Sequence, residues 1–244
     1  MGALLLISLN VEADQHYQRF LPFLKQEKPD VVCLQEVLER DMERLSRELN
    51  MQGAFEPMMS LTAPQLVARG LEGEKIGVAL FTRFEAVYRH EYYFGSREIV
   101  PKERPDHQGV NLILLTAQFE YESVPFTFGT THFTWTPDGD ASDMQRENLA
   151  DLFSTLERYP EIVFCGDFNA PRGREIWGMI ARRYKDNIPP EYLSSVDPNL
   201  HRAKSLQVMV DGLFTTPGYT ASSVRLAEGV SDHKAVVGYI SSRS

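Results

Sequence analysis

Eight short apolar stretches punctuate the chain, at residues 3–9, 31–34, 77–81, 110–119, 125–133, 162–165, 207–214 and 235–240. They are four to ten residues long, rich in Val, Ile, Phe and Thr, and bounded by Gly, Pro, Asn or Asp. That pattern predicts strands. Residues 112–119 and 126–132 are separated only by 120–125, which predicts a hairpin. Between the strands the period changes. Residues 16–26 place Tyr17, Phe20, Leu21 and Leu24 at helical spacing, and 41–49 do so with Met42, Leu45 and Leu49. A longer helix is predicted over 142–159, with Leu149, Leu152, Phe153 and Leu156 on one side, and another over 174–184. Ser142 and Gln145 fit a capping box for the longer helix. Two segments read as exposed loops, 95–109 and 186–203, and loops of that length in a compact domain often carry function.

No internal repeat or linker-like shift in composition divides the 244 residues, so one α/β domain over 1–244 accounts for the pattern. Area scaling gives a chain of this mass roughly 11,000 Å² of folded surface. The apolar runs fall far short of the ~20 residues a membrane helix needs. Residues 4–9 lack a preceding basic segment and lead straight into polar residues, so no leader is read here and a cytosolic monomer without membrane contact is expected. Cys33 and Cys165 lie inside apolar runs and read as buried core thiols. Thirty-four acids against 25 bases give a net charge of −9. Tight coating of long nucleic acid draws on many Lys and Arg contacts to phosphate, and the chain has no global excess to offer.

The candidate chemistry lies where the strands stop. Asn10, Glu36, His132 and Asp167 each end or follow an apolar run, Asp211 sits among Val208, Met209, Val210, Leu213 and Phe214, and Asp232-His233 opens the last strand. Polar groups set against buried strands cost desolvation unless they are paired or bind a cation. Singly, each has a structural explanation: a turn for Asn10, caps for Glu36, Asp167 and Ser231, a satisfied core imidazole for His132. Asp211 is harder to explain so, because its neighbours imply burial and a buried Asp needs a partner, for which His233 is the candidate.

Leu34-Gln35-Glu36, Gly166-Asp167-Phe168-Asn169 and Ser231-Asp232-His233 occur in that order, with Asn10, Thr131-His132 and Asp211 as three further blocks. The set resembles the endonuclease/exonuclease/phosphatase superfamily across nearly the whole chain, its tyrosyl-DNA phosphodiesterase and deadenylase branches nearest by motif. The resemblance implies an α+β fold, a four-layer α/β/β/α sandwich of two mostly antiparallel sheets flanked by helices. It also implies a Mg²⁺ or Mn²⁺ ion held chiefly by Glu36, with Asn10 and Asp232 nearby. Asp167 would orient or deprotonate a water. His132 and Asn169 would donate to phosphoryl oxygens, and Asp211 would hold His233 protonated against the phosphate. At position 12 the chain carries Glu where several nuclease branches carry Asn or Asp.

The superfamily spans nucleases, deadenylases, phosphatases and sphingomyelinases, so the substrate has to come from the site itself. Residues 172–185 hold five bases against one acid. Arg172 and Arg174 are therefore candidate contacts to a nucleic-acid backbone, a solvated helix face being the alternative. Trp135, in a polar Thr-Trp-Thr-Pro setting, is a candidate base-stacking residue, with Phe133 and Trp177 as further aromatics. The expectation is a metal-dependent phosphodiesterase hydrolysing nucleic acid, at ends or on short single strands. The alternatives are a hydrolase for a small soluble phosphate ester, or a non-catalytic binding module on the same fold.

Overall fold

The computed structural model describes residues 2–63, 68–104 and 109–243. The first half of the chain runs β1 (Leu4–Asn10), α1 (Tyr17–Glu27), β2 (Val31–Leu38), α2 (Met42–Leu49), β3 (Gln52–Ser60), β4 (Lys75–Thr82), β5 (Val87–Phe94) and β6 (Leu112–Tyr121). It continues with β7 (Val124–His132), α3 (Asp143–Leu156), β8 (Val163–Asp167), α4 (Glu175–Arg183), β9 (Lys185–Asp186), β10 (Asp211–Thr215), β11 (Tyr219–Ala227) and β12 (Ala235–Ser242). Two six-stranded sheets result, ordered β11-β12-β1-β2-β4-β3 and β5-β6-β7-β8-β10-β9.

Each sheet contains one parallel pair, β1 with β2 and β7 with β8, and the remaining pairs are antiparallel. A parallel pair needs a crossover, and α1 and α3 supply the two. The central strands are apolar at nearly every position because both faces are covered. In β1, Leu4 and Leu6 belong to the core between the sheets, whereas Leu5, Ile7 and Leu9 pack with Phe20, Leu21 and Leu24 of α1. Leu149, Leu152, Phe153 and Leu156 of α3 and Trp177 of α4 join the core on the other sheet's side. The layers are therefore helix, sheet, sheet, helix. The accessible surface is 11000 Å², as the mass predicts.

The hairpin between β6 and β7 closes with Glu122 and Ser123, both at positive φ (51° and 64°), the two-residue geometry that matches strand twist. The capping box of α3 forms only by half. Ser142 Oγ accepts from Gln145 N–H at 3.1 Å, but the Gln145 amide turns inward and donates to Thr134 O at 2.7 Å. Burial of Gln145 directs it to the segment after β7 instead of back to the helix end. The run at 207–214 becomes a strand only from Asp211 onward, so Asp211 opens β10 instead of lying within it.

Of the two long loops, 95–104 is docked: Glu103 N–H donates to Ser60 O, and Asn111 Nδ2 donates to Ser96 O and Ile99 O. Pro105–Gln108 lie outside the described residues. Among the described residues no helix is long and apolar enough to cross a membrane.

Candidate active site

One face of each central strand changes character along its length. Leu4 and Leu6 give way to Ser8 and Asn10 on β1, and Val31 and Cys33 to Gln35 on β2. On β7, Phe128 is followed by Thr130 and His132, and on β8, Val163 and Cys165 by Asp167. Pairing puts these ends side by side, with Asn10 opposite Gln35 and His132 opposite Asp167. β10 runs back against β8 with Asp211 opposite Asp167. The gap between the sheets is thus apolar along most of its length and polar at one end. Gln35 Nε2 bridges the sheets there by donating to Thr130 Oγ1 at 2.9 Å.

Local backbone irregularities aim the side chains. The β2–β4 ladder shifts register between Leu34 and Val37, and within this bulge Glu36 has φ 58°. A bulge re-aims one side chain out of the strand's alternation, and here it turns Glu36 to the cleft. Glu12 and Asn169 also sit at positive φ (50° and 49°). Such sparsely populated conformations persist only where the surroundings enforce them. Gly166, one residue before Asp167, has φ 147°, and a Cβ there would lie 1.9 Å from Thr131 O. Only glycine lets β8 come this close to β7 at that point.

Asp167 is the hub. It is 2% exposed. Its Oδ1 accepts from Asn169 N–H at 2.8 Å and its Oδ2 from Asn10 Nδ2 at 3.2 Å. His132 Nε2 and His233 Nε2 lie 3.6 and 3.8 Å from the same Oδ2. Behind them, His233 Nδ1 meets Asp211 Oδ2 at 2.7 Å. Burial disfavours the charged form of His233, but the Asp211 carboxylate, followed by Asp167, outweighs it and holds the imidazole well above its ordinary pKa. Burial in turn pushes the Asp211 carboxyl up, against the pull of His233.

Asn10 turns its nitrogen, not its oxygen, to the carboxylates. Its Oδ1 accepts from Glu12 N–H at 3.1 Å, so Nδ2 is left to donate to Glu36 Oε1 at 2.9 Å. Here Asn10 orients Glu36. The carboxylates available to a divalent ion beside it are those of Glu36, Glu12 and Asp232, all lining one cleft of about 490 Å³. Asp232 is 7% exposed; its Oδ1 accepts from Ser231 Oγ, and its Oδ2 has no partner among the described residues. Burial, then the neighbouring charges of Glu12 and Glu36, push its carboxyl up to about 7 against the pull of His233. Among the described residues, no Lys or Arg pairs with any of the three acids. Three carboxylates gathered in this way, Asp232 buried and Glu12 and Glu36 half-buried, fit a hard divalent cation.

The cleft also holds His132, Asn169, Trp135, His201 and Arg202. Trp135 is 39% exposed, whereas Phe133 and Trp177 are buried. Arg172 and Arg174 do not line the cleft. The Arg172 guanidinium donates to the carbonyls of Ile188, Pro189 and Tyr192, lies 3.4 Å from Asp186 and stacks on Trp177. Arg174 pairs with Asp140 and the carbonyl of Asp138. Both cations are used to hold loops together, which spacing along the chain does not reveal.

Several cleft residues escaped assignment from sequence. His201 and Arg202 fall in the loop flagged at 186–203, without a motif to give them a role. In that loop Asp197 accepts from Gly229 N–H and donates its own N–H to Asp232 O, and Lys234 N–H donates to Ser195 O. Ser195 Oγ accepts from the N–H groups of Val210 and Asp211. The loop is thus a strap that fixes both Asp211 and the 231–233 turn. His16, opposite Glu12 at 2.9 Å, had one signal, its four-residue spacing from Glu12.

The chain is thus a sheet-on-sheet sandwich flanked by helices, with acids, amides and imidazoles clustered at one end. The model of the endonuclease/exonuclease/phosphatase family matches residues 7–233, and the chain belongs to this family. An endonuclease/exonuclease/phosphatase from Bacteroides vulgatus superposes with a TM-score of 0.74 at 16% identity, covering 100% of both chains. The catalytic domain of human Nocturnin, solved with a bound sulfate anion, gives 0.74 at 19% identity over 98% of this chain and 93% of that one. A mannosyl-6-phosphatase from Bacteroides thetaiotaomicron gives 0.70 at 13% identity, covering 98% and 99%. At such identities the likeness shows the fold. No curated protein matches the chain in sequence.

Proposed function

We propose that the protein is a divalent-metal-dependent phosphoesterase that hydrolyses a phosphodiester at a nucleic-acid end or in a nucleotide-sized ester. The observation that carries this reading is the convergence of Asp167, Asn169, His132 and the Asp211–His233 pair on one point beside Glu36 and Asp232. A bound divalent ion would supply Lewis-acid polarisation of the phosphoryl group and neutralise charge on the departing oxygen.

The protein's own groups do the rest by position and charge. Asp167, buried and held by Asn10 and Asn169, orients the attacking water and takes its proton as the new P–O bond forms. His132 and protonated His233 bracket the same point and donate to the non-bridging oxygens as charge builds on them. Asp211 fixes the His233 ring and keeps its proton on. Asn169 Nδ2 donates to Phe133 O at 3.0 Å, which ties the position of Asn169 to the segment carrying His132. The ester P–O bond breaks opposite the incoming water, and the departing oxygen takes a proton from solvent.

The size of the substrate follows from the cleft. Its volume suits a ligand of nucleotide size. Its described guanidinium groups are those of Arg69, already paired with Asp14, and Arg202. Two guanidiniums are few for a long duplex, where affinity grows with each phosphate neutralised. That count favours a terminal or free ester over the interior of a strand, and Trp135, 39% exposed on the cleft, would stack on a base.

The test is hydrolysis of bis-p-nitrophenyl phosphate, a p-nitrophenyl nucleotide ester, a labelled single-stranded oligonucleotide and supercoiled DNA, with Mg²⁺, Mn²⁺ or chelator. The reading predicts metal-dependent release from the esters and from oligonucleotide ends, lost in Glu36→Gln. Rapid nicking of supercoiled DNA would refute the end-directed reading. Inactivity on all four with either metal would refute the hydrolase reading.

A further inference from the structure

We propose that His16 supplies an imidazole nitrogen to the cation held by Glu12 and Asp232, so that the centre binds a transition-row ion such as Mn²⁺ more tightly than Mg²⁺. His16 precedes α1, and Glu12 lies four residues earlier in the turn that joins β1 to α1. One oxygen each of Glu12 and Asp232 and a ring nitrogen of His16 all lie within 4.8 Å of one another. Adjacent ligands of an octahedral ion are about 3.0 Å apart and opposite ones about 4.2 Å, for metal–ligand distances near 2.1 Å. The separation of His16 Nε2 and Glu12 Oε2, 2.9 Å, is that of two adjacent ligands. The third member points inward independently of the pair. Asp232 is buried, and its Oδ2 has no partner among the described residues.

An ion pair between Glu12 and His16 alone leaves Asp232 outside it; a shared cation engages all three groups at once. The imidazole also changes which ion is favoured. Mg²⁺ takes oxygen ligands and keeps its waters, whereas a nitrogen donor raises affinity for the divalent ions of the first transition row, starting with Mn²⁺ and increasing along it. The inference uses the same cleft as the hydrolase reading and rests on it for its purpose, but binding alone decides it.

The experiment is Mn²⁺ titration of the chelator-treated full chain, followed by electron paramagnetic resonance, with pulsed detection of ¹⁴N coupling on the bound ion. Wild type and His16→Gln are compared, with Mg²⁺ as competitor. We expect nitrogen coupling in wild type that is lost or reduced in the variant. The Mn²⁺ affinity of the variant should be about 10–100-fold weaker, the range typical of perturbed ligand sets, with Mg²⁺ affinity nearly unchanged. Unchanged coupling and Mn²⁺/Mg²⁺ selectivity in the variant would overturn the proposal. If the variant fails to fold, wild type alone decides, since bound Mn²⁺ without nitrogen coupling also overturns it. In that case cation binding that disappears in Glu36→Gln would leave the hydrolase reading standing, whereas no Mn²⁺ binding at all would remove both.

Discussion

Replacing Asp211 by Asn removes one charge and little volume, and tests the electrostatic core of the site. Asp211 and His233 are both buried and meet at 2.7 Å. The gross attraction of unit charges at that distance is about 6 kcal/mol at an effective dielectric of 20. Desolvation cancels much of it, and close charge pairs in proteins measure about 1.5–7 kcal/mol of coupling. Taking about 2–4 kcal/mol for this pair, protonated His233 loses enough support to lower kcat by about 30- to 1,000-fold near neutral pH. The pH dependence carries the sign. The folded-state pKa of His233 is raised, chiefly by Asp211, so the stabilisation of its protonated form is complete below the unfolded value near 6.5 and is lost as pH rises through the higher folded value. Wild-type activity therefore falls on the alkaline side, and in Asp211→Asn the fall begins at lower pH. A pH–rate profile on a p-nitrophenyl ester, with an NMR titration of the His233 ring, measures both. A variant whose profile superimposes on wild type would refute the assignment of Asp211 as the group that keeps His233 charged.

Four further outcomes follow from the geometry. Gly166→Ala forces a Cβ to 1.9 Å from Thr131 O at φ 147° and should cost about 3 kcal/mol or more, a drop of about 6–12 °C in Tm by calorimetry. Asp232 titrates near 7, so in the cation-free protein its protonated form contributes stability that is lost as pH rises from the ordinary carboxyl value through about 7. A divalent cation replaces that proton, and the Tm gain on adding Mn²⁺ should be larger at pH 8 than at pH 6. Arg172→Ala should lower stability by about 1–3 kcal/mol and leave KM unchanged, because its contacts are to loop carbonyls. Arg202→Ala should do the reverse, raising KM with little change in Tm.

The central strands and helices were legible because their burial pattern is written in residue type. β1 and β2 are buried on both faces, and α1 shows its apolar face at Tyr17, Phe20, Leu21 and Leu24. The strands that escaped are β3, β5, β9 and β11, and all four stand at sheet edges. β3 contains Gly53 and Pro57 with a register shift after the proline, and β11 is bulged between Ser222 and Arg225. An edge strand is half solvated and tolerates proline, so no apolar run betrays it.

The candidate site residues at strand ends were legible for a related reason. Asn10, Asp167 and Asp211 end or open strands whose residues are all buried. Illegible were the strap of Ser195 and Asp197, whose role depends on contacts with residues up to 39 positions away along the chain. The fate of the basic stretch was illegible too. The carbonyls that receive Arg172 come from a loop 16–20 residues further on.

The most direct test of the account is the Asp167→Asn variant, folded and loaded with Mn²⁺, assayed for single-turnover hydrolysis of a p-nitrophenyl nucleotide ester in ¹⁸O-labelled water. The variant keeps the shape of the hub but removes the carboxylate that takes the water's proton. The account predicts a rate lower by about 10²–10⁴-fold, with one labelled oxygen in the wild-type phosphate product from the first turnover. A variant within a few-fold of wild type, or unlabelled product in the first turnover, would contradict direct attack of water oriented by Asp167.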